Sequence, residues 1–412
     1  MYNKIIKCRV CGNSDLEKVM SLGDQTLTGV FPKSEGESIS SGEVCLVRCS
    51  SPSGCGLVQL EQSYDLEEMY GMNYGYRSGL NSSMVRHLQK KVEEVLDFGV
   101  LSEDDIVIDI GSNDATTLRS YPSKHFSLIG VDPTGIKFSQ YYPKDITLIS
   151  NFFSYQAVSK ELNGRKAKVI TSFSMFYDLE DPIAFAREIY KTLHNEGIWV
   201  LEQSYLPLML KTNSFDTICH EHLEFYALKQ IMWIAKEANL KVLDVKFNDI
   251  NGGSFSLIVS KESSKLTPNK ELIERILMDE KELGLDTGQA FNSFKIRVDE
   301  SKKMFMDFLK QTKNKGDTVY GLGASTKGNV LLQYYGVDRS LVTAIGEINK
   351  DKVGGFTPAT LIPIISEERL LECNPDYIVV LPWHFKDFFL SLPKLKGQKL
   401  VFPLPNFEIV EL

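Results

Sequence analysis

One stretch constrains this chain more than any other: Val107-Ile108-Asp109-Ile110-Gly111-Ser112-Asn113-Asp114-Ala115-Thr116-Thr117-Leu118. It reads as a buried strand ending in an acid and a glycine, then a tight polar turn and a helix. Glycine lets the backbone approach a ligand without a Cβ collision. Asp132 closes the next strand, in Ile129-Gly130-Val131-Asp132-Pro133, where a carboxylate can accept both ribose hydroxyls of an adenosine. Dinucleotide sites use three glycines so that a pyrophosphate can sit on the helix N-terminus. This turn has one glycine and two acids, Asp109 and Asp114. Carboxylates repel a diphosphate and attract a cation. S-adenosylmethionine carries a sulfonium and an ammonium but no phosphate, so the loop fits it better than NAD. Asp109, Gly111, Ser112, Asn113, Asp114, Asp132 and Phe173 are the expected cofactor residues.

The surrounding pattern supplies the scaffold. Apolar runs at Asp105 to Ile110, Phe126 to Val131, Lys168 to Phe173 and Gly197 to Glu202 alternate with helical segments, which predicts a parallel, doubly wound α/β sheet. Pro182 opens a crossover helix, as proline does at a first helical position. The polar stretch Lys261 to Thr267 marks a boundary before Pro268. A long amphipathic helical stretch follows, with Phe291, Phe294, Val298, Phe305, Phe308 and Leu309 on or near one face. A second α/β pattern runs through Thr318 to Gly321, Leu341 to Ile345, Tyr377 to Leu381 and Leu400 to Phe402. Three units are expected: a zinc-binding unit over 1–75, a class I methyltransferase domain over 76–265 and a Rossmann-like α/β domain over 266–412.

Seven cysteines, five of them at positions 8, 11, 45, 49 and 55, form an uneven set. That crowding suits a metal knuckle in a reducing compartment better than a disulfide framework. Cys8, Cys11, Cys49 and Cys55 can supply four thiolates to a structural, tetrahedral zinc, with Cys45 as a substitute ligand.

Two further motifs carry chemistry. His220-Glu221-His222 stands just past the fifth strand, where catalytic groups belong in this architecture. A histidine beside a glutamate can be a general base whose tautomer the carboxylate fixes, and a solvated surface histidine fits the residues equally well. Gly321-Leu322-Gly323-Ala324-Ser325-Thr326-Lys327-Gly328-Asn329 follows a strand and could hold a phosphate at a helix N-terminus, or be a packing turn.

A net charge of −8 argues against non-specific nucleic-acid binding. No apolar run is long enough to cross a bilayer, and the start MYNKIIKCRVCG has no signal-peptide core, so a cytoplasmic location is expected.

Together these residues resemble the sugar C-methyltransferases that add a branch methyl at C-3′ of nucleotide-linked 4-keto-deoxyhexoses. The likeness spans nearly the whole chain: the cysteine set with Gly56-Leu57-Val58-Gln59-Leu60, the stretch Tyr74-Gly75-Tyr76-Arg77-Ser78, the loop Asp109 to Asp114, His220-Glu221-His222, and Gly321 to Asn329 with Leu381-Pro382-Trp383-His384-Phe385-Lys386. It implies that His222 removes the C-3′ proton, that Glu221 orients it or contacts the sugar, and that His220 or Tyr76 donates to the enolate oxygen. Tyr74, Ser78, Ser325 and Lys327 become expected substrate contacts, the last two to the diphosphate. The family differs at three places. It commonly has glycine at Ala115, acceptable if that residue is helical; tyrosine at Cys219; and histidine at Asp178 or Tyr177. An NAD-dependent sugar-nucleotide dehydrogenase or epimerase using the Gly321 loop, and an inactive zinc-knuckle interaction protein, are the competing readings.

Overall fold

The computed structural model describes residues 2–64, 76–122 and 125–412. Its N-terminal part is a sheet of long antiparallel strands, β1 (Leu16–Thr26) and β2 (Ser41–Cys49), followed by β3 (Val58–Leu60). The fourth strand comes from far along the chain: Glu224–Phe225, directly after His220-Glu221-His222, pairs with Val58 and Gln59.

The central sheet has seven strands: β4 (Ile106–Ile110), β5 (Ser127–Val131), β6 (Ile146–Ile149), β7 (Ala167–Phe173), β8 (Leu193–Ser204), β9 (Leu240–Asn248) and β10 (Ser254–Lys261). Across the sheet their order is β9-β10-β8-β7-β4-β5-β6. Strands β4 to β8 are parallel and β10 runs antiparallel to its neighbours. All five residues of β4 are buried, because helices cover both faces of a parallel sheet and leave no solvated side. Pro182–Thr192 is the expected crossover helix, opened by Pro182 and capped by Asp181, whose carboxylate accepts from Ala184 N–H at 2.9 Å. Under it Trp199 packs on Phe176 and donates its indole N–H to Ser172 at 2.9 Å, the partner a buried indole requires.

The last sheet is again mainly parallel, built from β11 (Val319–Leu322), β12 (Ile345–Glu347), β13 (Ile364–Ser366), β14 (Tyr377–Val380), β15 (Lys399–Phe402) and an antiparallel edge, β16 (Glu408–Glu411). The α/β architecture is therefore as expected. Some elements differ in detail. The long helical stretch is the single helix Gln289–Lys315, as expected; a shorter helix not foreseen, Lys270–Glu282, precedes it across a turn where Gly284 and Gly288 take φ of 79°, a conformation only glycine adopts freely. The expected strand at Leu341 begins only at Ile345, after a turn closed by Leu341 and Val342 N–H on Asp338.

Helix Gln289–Lys315 fuses the units. Its buried Phe291, Phe294, Val298, Phe305 and Leu309 share one core with Leu22, Leu46 and Leu60 of the N-terminal sheet, with Ile218 and Leu223 beside the His-Glu-His segment, and with the C-terminal strands. Each such side chain contributes about 1.5–3 kcal/mol on burial, so the segment is clamped between all three units. Among the described residues no helix is long and apolar enough to cross a membrane.

Candidate active site

At the C-terminal ends of β4, β5 and β7 lies a cleft of about 270 Å³. Asp109, Gly111, Ser112, Asn113, Asp132 and Phe173 line it, as do Tyr76 and Ser78. Its charged lining is Asp109, Asp132, Asp178 and Glu180, with no Lys, Arg or His among the described residues around it. Such a wall welcomes a cationic adenosine compound and disfavours a diphosphate. Asp109 is 3% exposed; burial pushes its carboxyl up to about 7, against the hydrogen bonds from Thr171 and Thr117. It is a carboxylate poised to ionise when a cation arrives. Asp132 is held for its task by Asn113 N–H at 2.8 Å and Thr134 N–H at 2.7 Å. These observations fit S-adenosylmethionine, with its ammonium near Asp109 and its ribose at Asp132.

Two expectations in this loop change. Asp114 is outside the cleft lining: its carboxylate accepts from Gly79 N–H at 3.0 Å and Thr116 at 2.5 Å, with Arg77 at 3.7 Å. In this structure it fastens the Ser78 segment over the cleft. Ala115 is not helical but left-handed, with φ of 60°, and fully buried; the methyl is tolerated at a strain of roughly 1–2 kcal/mol.

Beside the cleft is a seam where the N-terminal, central and C-terminal units meet. His222 carries its Nδ1 2.7 Å from the Thr217 carbonyl, and its ring stands edge-on to Tyr177 at 4.4 Å, next to Asp178 of the cleft. A carbonyl only accepts, so Nδ1 holds the proton and Nε2 keeps its lone pair. Burial lowers the His222 pKa, with Lys327 acting in the same direction. The tautomer is thus fixed by Thr217 and not by Glu221, as the sequence suggested. Glu221 faces the N-terminal unit, where a Cβ at Gly29 would sit 2.9 Å from its Oε1. Buried polar atoms gather here without hydrogen-bond partners among the described residues: Thr28 Oγ1, Asp216 Oδ1, Glu221 Oε2, Asn329 Oδ1 and His384 Nδ1. Asn329 reaches the Thr28 carbonyl at 2.8 Å and Trp383 reaches Asp216 at 2.7 Å, which ties these groups to one place. Unpartnered buried polar atoms are costly, and a polar ligand in the seam would satisfy them.

Other expected residues have different partners. His220 is fully buried, with Nε2 3.0 Å from the Gln25 carbonyl and its ring against Tyr64 at 4.7 Å. Its observed contacts are to the N-terminal unit. Ser325 caps the helix Thr326–Tyr335 through Gly328 N–H at 3.0 Å, and Glu347 takes the Ala324 N–H at 2.8 Å. With those donors occupied and a carboxylate in place, the Gly321 turn offers no pyrophosphate cradle, and Gly323 packs so closely on Pro382 that a Cβ would come within 2.7 Å. These contacts use the turn for packing and helix capping, the second of the two expected roles. Lys327 donates to the Asn251 carbonyl, and burial lowers its pKa; it is a seam cation rather than part of a phosphate loop. Tyr74 lies outside the described residues. Sequence reasoning missed Gly29 and the parts played by Asp216, Thr217, Tyr177 and Asn329, which lie in or beside the motifs but show their partners only in the fold.

The four sulfurs of Cys8, Cys11, Cys49 and Cys55 lie within 4.8 Å of one another, with Cys8–Cys55 and Cys11–Cys49 at 3.5 Å. Tetrahedral zinc with Zn–S of about 2.3 Å holds thiolates about 3.8 Å apart, so the set fits structural zinc. Cys45 is not one of the four; it groups with Glu43 and Glu61, which Lys4 bridges at 2.8 and 3.0 Å.

The strand order, with its single antiparallel reversal, and the acid-lined cleft at the strand ends define an S-adenosylmethionine-dependent methyltransferase. Family models agree: residues 8–70 match "Putative zinc binding domain", 81–245 "Methyltransferase domain" and 249–405 "C-methyltransferase C-terminal domain". The C-methyltransferase NovU of Streptomyces niveus is 25% identical over 98% of this chain and 97% of its own length. The three matches follow one another along the chain, a zinc-binding domain, a methyltransferase domain and a C-methyltransferase C-terminal domain. Solved structures align more partially. An O-methyltransferase family protein from Burkholderia thailandensis has 17% identity and a TM-score of 0.36, over 49% of this chain and 64% of that one. An S-adenosylmethionine-dependent methyltransferase from Clostridium acetobutylicum has 15% identity and a TM-score of 0.32, over 43% and 92%. The assignment rests on the domain matches and the cleft, not on these partial alignments.

Proposed function

We propose that this C-methyltransferase acts on a nucleotide-linked 4-keto-deoxysugar, methylating C-3′ through an enolate, with His222 as the base. The observation that carries the reading is the Nδ1 contact of His222 with the Thr217 carbonyl at 2.7 Å. It leaves Nε2 unprotonated beside the cofactor cleft, and a carbon acid requires such a base. A 4-keto group makes the C-3′ hydrogen acidic by delocalising the resulting charge onto oxygen. His222 Nε2 takes that proton, which leaves C-3′ nucleophilic. Positioned acid–base groups contribute roughly 10²- to 10⁴-fold. Tyr76, on the cleft wall, is the remaining donor to the enolate oxygen once His220 is set aside, and Glu221 contacts the sugar. Bound S-adenosylmethionine supplies the electrophilic methyl group. Zinc has a structural part only.

The unpartnered polar atoms of the seam support a polar substrate, and Lys327 provides the positive charge that a diphosphate needs there. The likeness to sugar C-methyltransferases names the substrate class. Incubating the protein with S-adenosylmethionine and a panel of nucleotide-linked 4-keto-deoxysugars tests it. Mass spectrometry and NMR should find one new methyl on C-3′; a methyl on oxygen or nitrogen instead, or turnover undiminished in His222→Asn, would overturn the reading.

A further inference from the structure

Arg9 stands between two zinc ligands, Cys8 and Cys11, and points away from them. Its side chain is 3% exposed, an expensive place for a cation unless every donor is matched. Arginine has five N–H donors in a fixed fork, and all five are taken. Nε meets Glu180 at 3.1 Å. Nη1 meets the Leu60 carbonyl at 2.6 Å and Gln59 Oε1 at 3.5 Å. Nη2 meets the Gln62 carbonyl at 3.1 Å and Ser63 Oγ at 2.7 Å. Ser63 in turn donates to Glu180 at 3.0 Å.

The acceptors are the edges of the active site. Glu180 lines the cofactor cleft. Gln59 and Leu60 belong to the strand that receives the chain leaving His222: Leu60 N–H meets the Leu223 carbonyl at 2.8 Å, and Glu224 pairs with Gln59. The fully buried Glu224 carboxylate faces Arg9 Nε at 3.8 Å.

The geometry points to Arg9 as a positioning residue through which the metal knuckle sets the active site. The cysteine cluster fixes the backbone on both sides of Arg9. The fork then holds the rim at Glu180 and the strand that anchors the His222 segment in one register. Lysine, a point charge with rotatable donors, cannot satisfy five acceptors in a plane. Zinc in this chain therefore acts beyond stapling the N-terminal sheet: it orders catalytic groups that never touch it. The inference rests on the reading of His222 as the base only for its effect on rate.

Hydrogen–deuterium exchange of the full-length, zinc-loaded protein tests it without any substrate. In Arg9→Met, a metal assay should find zinc retained and the 8–13 turn still protected. Peptides covering 219–226 and 178–181 should exchange about tenfold faster than in the wild type, with Arg9→Lys intermediate. Ser63→Ala, which removes one acceptor and leaves the fork buried, should open 178–181 about two- to threefold even if Arg9→Met does not fold. Chelating zinc from the wild type should open 219–226 as Arg9→Met does. Wild-type exchange at 219–226 in zinc-loaded Arg9→Met, or at 178–181 in Ser63→Ala, overturns the proposal. A failure of His222 as the base would leave these exchange rates as predicted and appear only in turnover. If His222 is the base, zinc-loaded Arg9→Met should also lose turnover while its affinity for S-adenosylhomocysteine stays within about twofold of the wild type.

Discussion

The cofactor cleft and the catalytic seam adjoin, yet they are assembled in opposite ways. The cleft takes most of its polar lining from two short stretches, 109–117 and 131–134, each at the end of one strand. The seam draws Thr28 and Gly29 from the N-terminal unit, Thr217 to His222 from the central chain, and Lys327, Asn329 and His384 from the C-terminal unit. A site built by one sheet can keep its geometry when a distant unit shifts. A site built by three units depends on every interface between them. Binding of the methyl donor and the chemistry on the acceptor should therefore be separable by mutation.

The largest expected separation is His222→Asn. It should lower turnover by roughly 10²- to 10⁴-fold and leave S-adenosylhomocysteine affinity as in the wild type, measured by titration calorimetry. Because burial lowers the His222 pKa, the midpoint of the acid fall in rate, where the ring takes up a proton, should lie below that of an ordinary histidine.

Asp109→Asn is the converse and somewhat smaller. Loss of a charge-assisted contact of about 1.5–3 kcal/mol should weaken S-adenosylhomocysteine, which keeps the ammonium, by about 10- to 100-fold. The sign of the pH effect follows from the raised carboxyl, at about 7. The empty cleft holds a proton on Asp109 below that pH, and a cationic ligand must displace it. Wild-type affinity should then rise with pH up to about 7 and level off, and Asp109→Asn should be flat. An equal pH dependence in the variant would mean that another group meets the ammonium.

Gly29→Ala is the mildest. The added methyl meets Glu221 at 2.9 Å, and the carboxylate can give way only by moving within the seam. Turnover should fall by up to about tenfold, with cofactor affinity unchanged. A matching loss in affinity would break the distinction between the two regions.

The same contrast explains what could be read from the sequence. The strand-acid-glycine-turn pattern was legible because cofactor residues sit within a few positions of a buried strand whose pattern is itself visible. Within that loop the acids looked alike, and only the fold shows that Asp109 faces the cleft while Asp114 holds Gly79. The cysteine spacing was legible for the same local reason. The His-Glu-His motif gave its position but not its division of labour. His220 and His222 alternate along an irregular segment, and the partner that sets each ring, Gln25 or Thr217, is a backbone carbonyl with no side-chain signature. The Gly321 turn looked like a phosphate loop because glycine and hydroxyl serve equally for close packing on Pro382 and for helix capping. Of the central strands, β6, β9 and β10 escaped notice. Exposed positions interrupt the apolar run of β6 and β9, and serines punctuate β10, as Ser254, Ser256 and Ser260 show.

Solvent exchange at the substrate carbon tests the central claim most directly. With S-adenosylhomocysteine in the cleft so that no methyl can be transferred, the protein in deuterium oxide should wash the C-3′ hydrogen out of a nucleotide-linked 4-keto-deoxysugar, followed by NMR. His222→Asn should bind both ligands and show no exchange above the uncatalysed rate. Exchange at the wild-type rate in His222→Asn would contradict the account and move the base elsewhere.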